Sequence, residues 1–215
     1  MKLLAVSDQV VDSLYSPNVR DRFGDIDLIL SCGDLPYYYL EFLTTILNRP
    51  LYYVHGNHDT SVVYTDRGQQ TVIPRGCELL DGKAAVCRGL IMAGLGGSIR
   101  YSHQSRFQYT QAEMDRRALW LTLRLMMRRL RRGKWLDILV THSPPFGVGD
   151  GPDRAHIGFT AFHALMRRLK PRYLLHGHQH TYRGPQPLAQ VGSTTVVNVF
   201  PYRVIEWEWH DAGQY

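Results

Sequence analysis

The chain has 215 residues, a formal net charge of +6 and 44% hydrophobic residues, a composition that predicts one globular domain over residues 1–215 and excludes disordered and fibrous proteins. No apolar segment is long enough to span a membrane, and the apolar start of the chain is too short for the core of a signal peptide. Cys32, Cys77 and Cys87 are odd in number and form no CxxC pair, so we expect a reduced, cytoplasmic protein with no membrane partner.

Short apolar segments that stop abruptly at a polar residue predict buried strands at five places. In chain order these segments read KLLAVS, IDLILS, PLYYVHG, LDILVTH and RYLLHG. Helices are predicted between them, over about Tyr37 to Asn48, after Tyr109, and from Phe162 to Leu169. Further strands are predicted in TTVVNVF and YRVIEWEW near the end. This order predicts two packed sheets flanked by helices.

Two of these regions carry more specific signals. The segment from Cys77 to Gly97 contains short strand-like runs around the turn sequence DGK, which predicts a hairpin. Thr110 and Glu113 form a capping box at the start of the long helix, and Gly133 is its stop signal.

The long helix also carries much of the excess positive charge. Its large apolar residues recur at helical spacing and are predicted to face the core; they are Leu119, Leu123, Met126, Met127 and Leu130. Its arginines are predicted to face away from the core; they include Arg124, Arg128, Arg131 and Arg132. A solvated helix face is the favoured interpretation, and a nucleic acid or other anionic partner is the alternative.

Side chains that can bind metals follow each of the five predicted strands. They are Asp8, then Asp34, then Asn57 with His58 and Asp59, then His142, and finally His178 with His180. The C-terminal ends of strands in an open α/β sheet border the crevice where ligands bind. One such residue alone favours an ordinary turn or a structural histidine. Five of them at five strand ends predict one shared site.

The local spacing supports the same prediction. Glycines precede Asp34, Asn57 and His178, and a glycine allows the backbone to turn sharply so that the next side chain reaches inward. His178 and His180 are two residues apart, which aims both rings the same way if the segment is extended.

In this order, the motifs Gly33-Asp34, GNHD at 56–59, Thr141-His142 and GHQH at 177–180 resemble those of the calcineurin-like metallophosphoesterases, with spacings similar to those of the small bacterial members. The match runs from Asp8 to His180. The resemblance implies an α/β four-layer sandwich of two mixed β-sheets flanked by helices. It also implies a metal-dependent phosphoesterase that hydrolyses a phosphomonoester or a phosphodiester at a two-metal centre.

The resemblance also implies roles for single residues. Asp34 would bridge the two metals, with Asp8 and His180 in the first site. The second site would be completed by three residues, which are Asn57, His142 and His178. His58 would act as the general acid, oriented by a carboxylate such as that of Asp59 or Asp34.

The residue types suit this chemistry. Two divalent cations roughly 3.5–4 Å apart can clamp a phosphate and lower the pKa of a shared water, which then attacks phosphorus. Imidazole and carboxylate ligands without a thiolate suit Mn, Fe, Co, Ni or Zn. We expect one or two divalent transition metals per chain, with manganese the leading candidate. Protonation of the leaving group suits a histidine that titrates near neutral pH.

The first motif departs from the family pattern Asp-x-His, because Val10 stands where the histidine is expected. Valine cannot bind a metal, and the two possible substitutes are Gln9, which points the wrong way in a strand, and the more distant Asp12. Three outcomes stay open: a working two-metal enzyme, a one-metal enzyme, and a degenerate site on a binding scaffold, as in the retromer subunit with this fold.

The sequence does not select a substrate among nucleotides, phosphodiesters, sugar phosphates and phosphoproteins, and it does not indicate an oligomeric state. The glycine-rich segment before the long helix predicts a lid, with an ordinary surface loop as the alternative. The lid would bring polar side chains to a phosphate; these are Arg100, Tyr101, His103 and Arg106. A second candidate rim follows His142 and contains His156.

Overall fold

Two large β-sheets hold most of the apolar sequence. The computed structural model describes residues 1–60, 62–65, 68–102, 106–132, 136–180 and 188–209. The helices are α1 (Val19–Phe23), α2 (Tyr37–Leu47), α3 (Gln111–Arg132) and α4 (Ala161–Leu169). The strands are β1 (Lys2–Val6), β2 (Leu28–Ser31), β3 (Leu51–Tyr53), β4 (Val62–Thr65), β5 (Gly68–Thr71), β6 (Cys77–Leu79), β7 (Ala84–Cys87), β8 (Leu90–Leu95), β9 (Ser98–Ile99), β10 (Gln108–Tyr109), β11 (Ile138–Thr141), β12 (Tyr173–His176), β13 (Ala189–Val191), β14 (Thr194–Asn198) and β15 (Tyr202–Glu206).

Both sheets are mixed. The first has the strand order β15-β1-β2-β3-β6, in which β15 is antiparallel to β1 and the other neighbours are parallel. The second has the order β13-β14-β12-β11-β8-β7, with antiparallel edge strands around four parallel ones. The pairs β4–β5 and β9–β10 form two small additional sheets.

Successive side chains of a strand point to opposite faces of its sheet, and this explains how the sheets and helices are layered. Leu30 of β2 joins Val140 of β11 in a cluster between the two sheets, whereas Ile29 faces Leu43 of α2. On the opposite side, α3 and α4 pack on the second sheet through residues such as Phe162. The central strands therefore bury both faces, which is why they are unbroken apolar runs. The order helix, sheet, sheet, helix confirms the predicted four-layer sandwich.

The ends of the predicted helices agree closely with the structure. At the start of α3, the backbone N–H of Glu113 donates to Oγ1 of Thr110 at 3.2 Å, and Oε2 of Glu113 accepts from the Thr110 N–H at 2.8 Å, so the capping box is formed. Residues in the left-handed conformation follow α2 and α4, at Asn48 and Lys170. The predicted stop at Gly133 lies outside the described residues. The short helix α1 and the ribbon β4–β5 were not predicted.

The predicted core face of α3 is wrong. The buried face consists of Met114, Ala118, Leu121 and Leu125. The residues predicted to face the core include Leu119, Leu123, Met126 and Met127, and these four are exposed. Both sets have helical spacing, so periodicity alone does not choose between them, and the buried set contains the small Ala118, which allows close packing. The side chains of Leu130, Arg128, Arg131 and Arg132 lie outside the described part of the chain.

The predicted hairpin at DGK is also misplaced. Asp81, Gly82 and Lys83 connect β6 of the first sheet to β7 of the second, so the turn links two sheets. The hairpin of this region is β7–β8, with Arg88 (φ 48°) and Gly89 (φ 87°) at its turn. Two consecutive left-handed residues match the twist that a tight hairpin requires.

Among the described residues, no helix combines the length and the apolar character needed to cross a membrane.

Candidate metal centre

The loops after β1, β2, β3, β11 and β12 meet at one edge of the sandwich. The Asp8 N–H donates to the carbonyl of Gly33 at 3.1 Å, which joins the loops after β1 and β2. The Gly177 N–H donates to the carbonyl of His142 at 3.0 Å, and the His178 N–H donates to Oδ2 of Asp8 at 2.9 Å. These bonds bring the ends of both sheets together, as the strand-end pattern predicts.

Three residues at this edge have a left-handed backbone: Asp8 (φ 64°), Asp34 (φ 55°) and His178 (φ 66°). Such conformations cost a non-glycine residue about 1–3 kcal/mol each and persist where neighbouring contacts impose them. The backbone at His178 is therefore not extended, so the condition on which its ring and that of His180 were expected to point the same way is not met. The sharp turn takes place at the predicted ligand itself.

Of the three glycines before Asp34, Asn57 and His178, two have a different role from the predicted one. Gly33 does turn with φ 95°, but Gly56 and Gly177 are absent from the residues with positive φ. A Cβ atom on Gly56 would lie 1.9 Å from Oδ1 of Asp34, and one on Gly177 would lie 1.8 Å from Oγ of Ser7. Gly56 and Gly177 are needed because neighbouring loops pass directly against their backbone.

His142 lies at the centre of the cluster and is fully buried. Its Nδ1 is 2.8 Å from the carbonyl oxygen of Cys32, so this nitrogen must donate a proton. Its Nε2 is 2.9 Å from Oδ1 of Asn57 and 3.3 Å from Oδ2 of Asp34. The lone pair of Nε2 therefore faces two oxygen acceptors. This convergence requires a positive charge, either a proton or a cation.

The pKa values of the histidines in the cluster are set by burial and by the charges of their neighbours. Burial disfavours a charged His142, but the adjacent Asp34 carboxylate outweighs burial and raises the pKa of His142 to about 9. Burial, aided by the charge of His142, lowers the pKa of His178 to about 3. His178 is thus neutral, and its Nε2 lies 2.8 Å from the carbonyl of Ala155, which leaves Nδ1 with the lone pair.

One ligand atom each from Asp34, His142 and His178 lie within 4.8 Å of one another, and each side chain is held by a neighbour. Asn57 adds its Oδ1, because its Nδ2 donates to Oη of Tyr101 at 3.0 Å and the amide oxygen then faces His142. Carboxylate, imidazole and amide ligands of this kind fit a divalent transition metal.

Asp8 and His180 form a second group beside this cluster. The Asp8 side chain is 1% exposed, and its Oδ1 accepts no hydrogen bond from the described residues; Nε2 of His180 lies 3.5 Å away. Burial raises the pKa of Asp8, but His180 and His142 outweigh burial and keep it below the ordinary value. A buried carboxylate oxygen without a donor is costly, and a cation would satisfy it.

His58 and Asp59 lie beside the cluster in different surroundings. His58 is exposed, and its backbone N–H donates to Oδ1 of Asp34 at 2.7 Å. Among the described residues no hydrogen bond of its ring is found, so the expected orientation of the ring by Asp59 or Asp34 stays a prediction. Oδ2 of Asp59 accepts instead from the N–H groups of Gly56 (2.8 Å) and Asp34 (3.2 Å). Burial and the charge of Asp34 raise the pKa of Asp59 to about 6.

The residues predicted to form a lid lie in different places. Tyr101 contacts the cluster, because its hydroxyl accepts a hydrogen bond from Asn57. Oε1 of Gln108 accepts from the Tyr101 N–H at 3.2 Å. Arg100 turns away and donates to Oε2 of Glu113 at 2.8 Å. His103 lies outside the described residues. On the second rim, His156 is paired with Asp153 at 2.8 Å and its ring is 5.1 Å from that of His178.

A family model for calcineurin-like phosphoesterases matches residues 3–182. The chain belongs to this family. The match contains every predicted metal ligand from Asp8 to His180, and it stops two residues after His180.

Solved structures agree with the family fold. One crystal structure has a TM-score of 0.63 and 17% identity, covering 95% of this chain and 94% of the other. The crystal structure of TT1561 of Thermus thermophilus has a TM-score of 0.60 and 17% identity, covering 92% of this chain and 88% of the other. At this identity the likeness shows the fold alone. Comparison with curated proteins gives no match.

Val10, the position that departs from the family pattern, lies beside a hydrophobic cluster. Val10 is half-buried and packs against the hydrophobic cluster that contains Leu4 and Val6. The two possible substitutes, Gln9 and Asp12, are exposed. That Val10 leaves the first site one ligand short stays a prediction.

Two further contributors were not predicted. Asn198 ends the parallel strand β14, is buried, and donates from Nδ2 to the carbonyl of Gln179 at 2.8 Å. Phe200 stacks on the ring of His180 at 4.7 Å. Asn198 could have been predicted, because it is a polar residue at the end of an apolar run, the same pattern that marks the other strand ends. No comparable signal marks Phe200.

Replacing Tyr101 tests the orientation of Asn57. Without the hydroxyl in Tyr101→Phe, the Asn57 amide loses the partner that turns its oxygen inward, so we expect about 10–100-fold weaker binding of the tighter cation. Calorimetric titration of Mn²⁺ into chelator-treated protein measures this affinity. Tyr15→Phe, an exposed tyrosine elsewhere, is the matched control. Equal affinities in both variants would show that Tyr101 does not position this ligand.

Replacing Val10 tests the missing ligand. In the unmodified protein we expect one tight cation and one that is lost on dialysis. Val10→His should raise the stoichiometry towards two per chain, with some loss of stability because a ring replaces a packed branched side chain. Val11→His, one residue along, controls for the effect of an added histidine. Two equally tight cations in the unmodified protein would contradict the prediction.

Proposed function

We propose that this chain hydrolyses a phosphomonoester or phosphodiester with one or two divalent cations held at the edge of the sandwich. The observation that carries the proposal is the convergence of Asp34, His142 and His178, whose ligand atoms lie within 4.8 Å of one another. These residues come from both sheets, and the strained backbone at Asp34 and His178 is typical of a functional site.

The proposed ligands divide into two sets that share Asp34. One cation would be held by Asp34, Asn57, His142 and His178, and the other by Asp8, Asp34 and His180. Manganese is the leading candidate, with iron, zinc, nickel and cobalt also compatible with these atoms. Bound cations of this kind neutralise phosphate oxygens and lower the pKa of a water.

Hydrogen bonds from surrounding groups orient the proposed ligands. The carbonyls of Cys32 and Ala155 hold the His142 and His178 rings, so that the other nitrogen of each ring is the one that would bind a cation. The Asp59 carboxylate holds the N–H groups of Gly56 and Asp34, and so keeps the loops after β2 and β3 together.

Tyr101 and His58 are suited to contact the substrate. The hydroxyl of Tyr101 accepts from Asn57, which leaves its own proton to donate to a phosphate oxygen. His58 is exposed and backbone-anchored to Asp34, so its ring is placed at the edge of the site. We propose that His58 protonates the departing alkoxide.

A cleft beside His58 supports the placement of the alcohol part of the ester. The cleft has a volume of about 480 Å³. It is lined by Asp34, Leu35, Pro36, Tyr37, Tyr38, His58, Asp59, Thr60 and Val72. Because most of these side chains are apolar or aromatic, an aryl or heterocyclic leaving group is a suitable model substrate.

The central experiment measures hydrolysis of p-nitrophenyl phosphate and bis(p-nitrophenyl) phosphate. Chelation should abolish turnover and Mn²⁺ should restore it. Asp34→Asn should remove both metal binding and turnover, whereas Asp21→Asn, an exposed carboxylate in α1, should change neither. If folded, metal-loaded protein hydrolyses neither ester, the proposed function is wrong and the binding-scaffold alternative is favoured.

The role of His58 predicts a dependence on the leaving group. His58→Ala should retain metal and lose ~10²–10⁴-fold in rate on esters with poor leaving groups, because these need a proton. The loss should be much smaller for p-nitrophenyl esters. His163→Ala, which lies in α4, is the control. An equal loss on good and poor leaving groups would remove His58 from this role.

A further inference from the structure

A second cleft lies between the start of α3 and the strands β9 and β10, and none of the proposed metal ligands lines it. Its volume is about 460 Å³, which is within the range of small-molecule sites. Half of the residues that line it are arginines, which are Arg100, Arg106, Arg116 and Arg117. We call it the arginine cleft.

Two separate parts of the chain form the walls of the arginine cleft. Four residues of α3 line it at spacings of three and four residues, which places them on one side of the helix; they are Glu113, Arg116, Arg117 and Trp120. The opposite wall contains Arg100, whose N–H donates to the carbonyl of Tyr109 at 2.9 Å and so stays beside β10. Arginines from both walls therefore border one space.

Contacts within the protein hold two of these arginines in place. Arg100 donates to Oε2 of Glu113 at 2.8 Å. Arg117 is paired with Asp81, whose side chain is 10% exposed, and it donates to Oη of Tyr109 at 3.1 Å. The guanidinium carbon of Arg117 also lies 4.3 Å from the centre of the Tyr109 ring. The walls are therefore ordered before a ligand binds, which lowers the entropic cost of binding.

The arginine cleft has more positive than negative charge. Its four arginines are accompanied by two carboxylates, those of Glu113 and Asp81, which leaves a balance of +2. Asp115, the other acidic residue at the start of α3, lines a separate cleft between α3 and α4. Arg116 is exposed, and no ion pair of its guanidinium is found among the described residues. Because a guanidinium can bind a phosphate through two parallel hydrogen bonds, this balance favours a ligand that carries a phosphate.

The same cleft contains an exposed aromatic ring. Trp120 is 67% exposed and lines the cleft about one turn of α3 after Arg116. An indole beside guanidinium groups offers a flat surface for a planar ring, while the arginines bind a phosphate attached to that ring. A planar base and a phosphate are the two recognition elements of a nucleotide.

We propose that the arginine cleft binds a single nucleotide, with its base stacked on Trp120 and its phosphate held by Arg106 and Arg116. Arg106 and Arg116 are both exposed and belong to opposite walls, so they approach a phosphate from two sides. The site is separate from the candidate metal centre, and the proposal does not depend on the proposed hydrolysis.

The surroundings of the cleft favour one nucleotide over a nucleic-acid strand. A strand requires basic groups spaced along a groove. Arg124 lies four residues after Trp120 on the same side of α3, but it donates to the carbonyl of Gly82 at 2.7 Å and does not line the cleft. Inorganic phosphate would leave the indole of Trp120 uncovered, and an aromatic ligand without a phosphate would not use the excess positive charge.

The first test measures binding of adenosine monophosphate (AMP) by calorimetry to chelator-treated protein, so that bound metal does not contribute. AMP should bind with one molecule per chain, and adenosine and inorganic phosphate should each bind more weakly because each makes only part of the contacts. Asp34→Asn should bind AMP as the unmodified protein does, which separates this result from the test of hydrolysis. Absence of AMP binding at millimolar concentration would overturn the proposal.

The second test assigns the two halves of the ligand to their residues. Trp120→Ala should weaken binding of AMP and adenosine about 5–100-fold, as expected for loss of one stacked base, and leave inorganic phosphate unaffected. Arg116→Gln should weaken binding of AMP and phosphate about 10-fold or more and leave adenosine unaffected. Trp209→Ala and Arg167→Gln, exposed residues outside the cleft, are the matched controls. Circular dichroism checks the folding of all four variants. Unchanged AMP affinity in both cleft variants would place the nucleotide elsewhere and overturn the proposal.

Two further probes separate other ligands that carry phosphates. An oligonucleotide of several adenosines should bind at most a few-fold more tightly than AMP. Phosphotyrosine should bind more weakly than AMP, because its ring covers less of the Trp120 indole. Affinity that rises steeply with strand length and falls steeply with salt would assign the cleft to a nucleic acid. Tighter binding of phosphotyrosine would assign it to a phosphoprotein, and either result would overturn the proposal.

Discussion

The candidate site depends on a positive charge at its centre. Nε2 of His142 lies 2.9 Å from Oδ1 of Asn57 and 3.3 Å from Oδ2 of Asp34, and because Nδ1 donates to the carbonyl of Cys32, Nε2 meets these two oxygens through either a proton or a bound cation. Electron-rich atoms at these distances in a buried place need a positive charge among them. The contacts of Tyr101 and Asp59 are understandable as supports that maintain this arrangement.

Maintaining it requires the loops to approach one another more closely than ordinary side chains permit. Gly56 and Gly177 lie where a Cβ atom would overlap the side chains of Asp34 and Ser7. Asp34 and His178 accept left-handed backbone conformations to turn inward from their strands. The two sheets and their three hydrophobic clusters supply the stability that offsets this local strain. The sandwich therefore supports a site whose backbone conformations are unfavourable by themselves.

The sequence predicts the parts of the structure that follow from strand ends. Parallel strands with apolar centres place their C-terminal residues at one edge, so the sequence alone groups Asp34, His142 and His178. It could not predict which face of α3 is buried, because two sets of residues satisfy the same period. Nor could it predict the hydrogen bond of Tyr101 to Asn57, since that contact depends on how a loop folds back over 44 residues of sequence.

The two proposed cation positions differ in their surroundings, and this difference follows from the chain itself. The group around His142 is buried, and its ligands are held by the carbonyls of Cys32 and Ala155 and by Tyr101. The other group has the buried Asp8 but also His180, whose side chain is 45% exposed. An exposed imidazole competes with water and loses more side-chain entropy when it binds, so each ligand there contributes less. Unequal affinity is therefore expected even if both positions have a carboxylate in common.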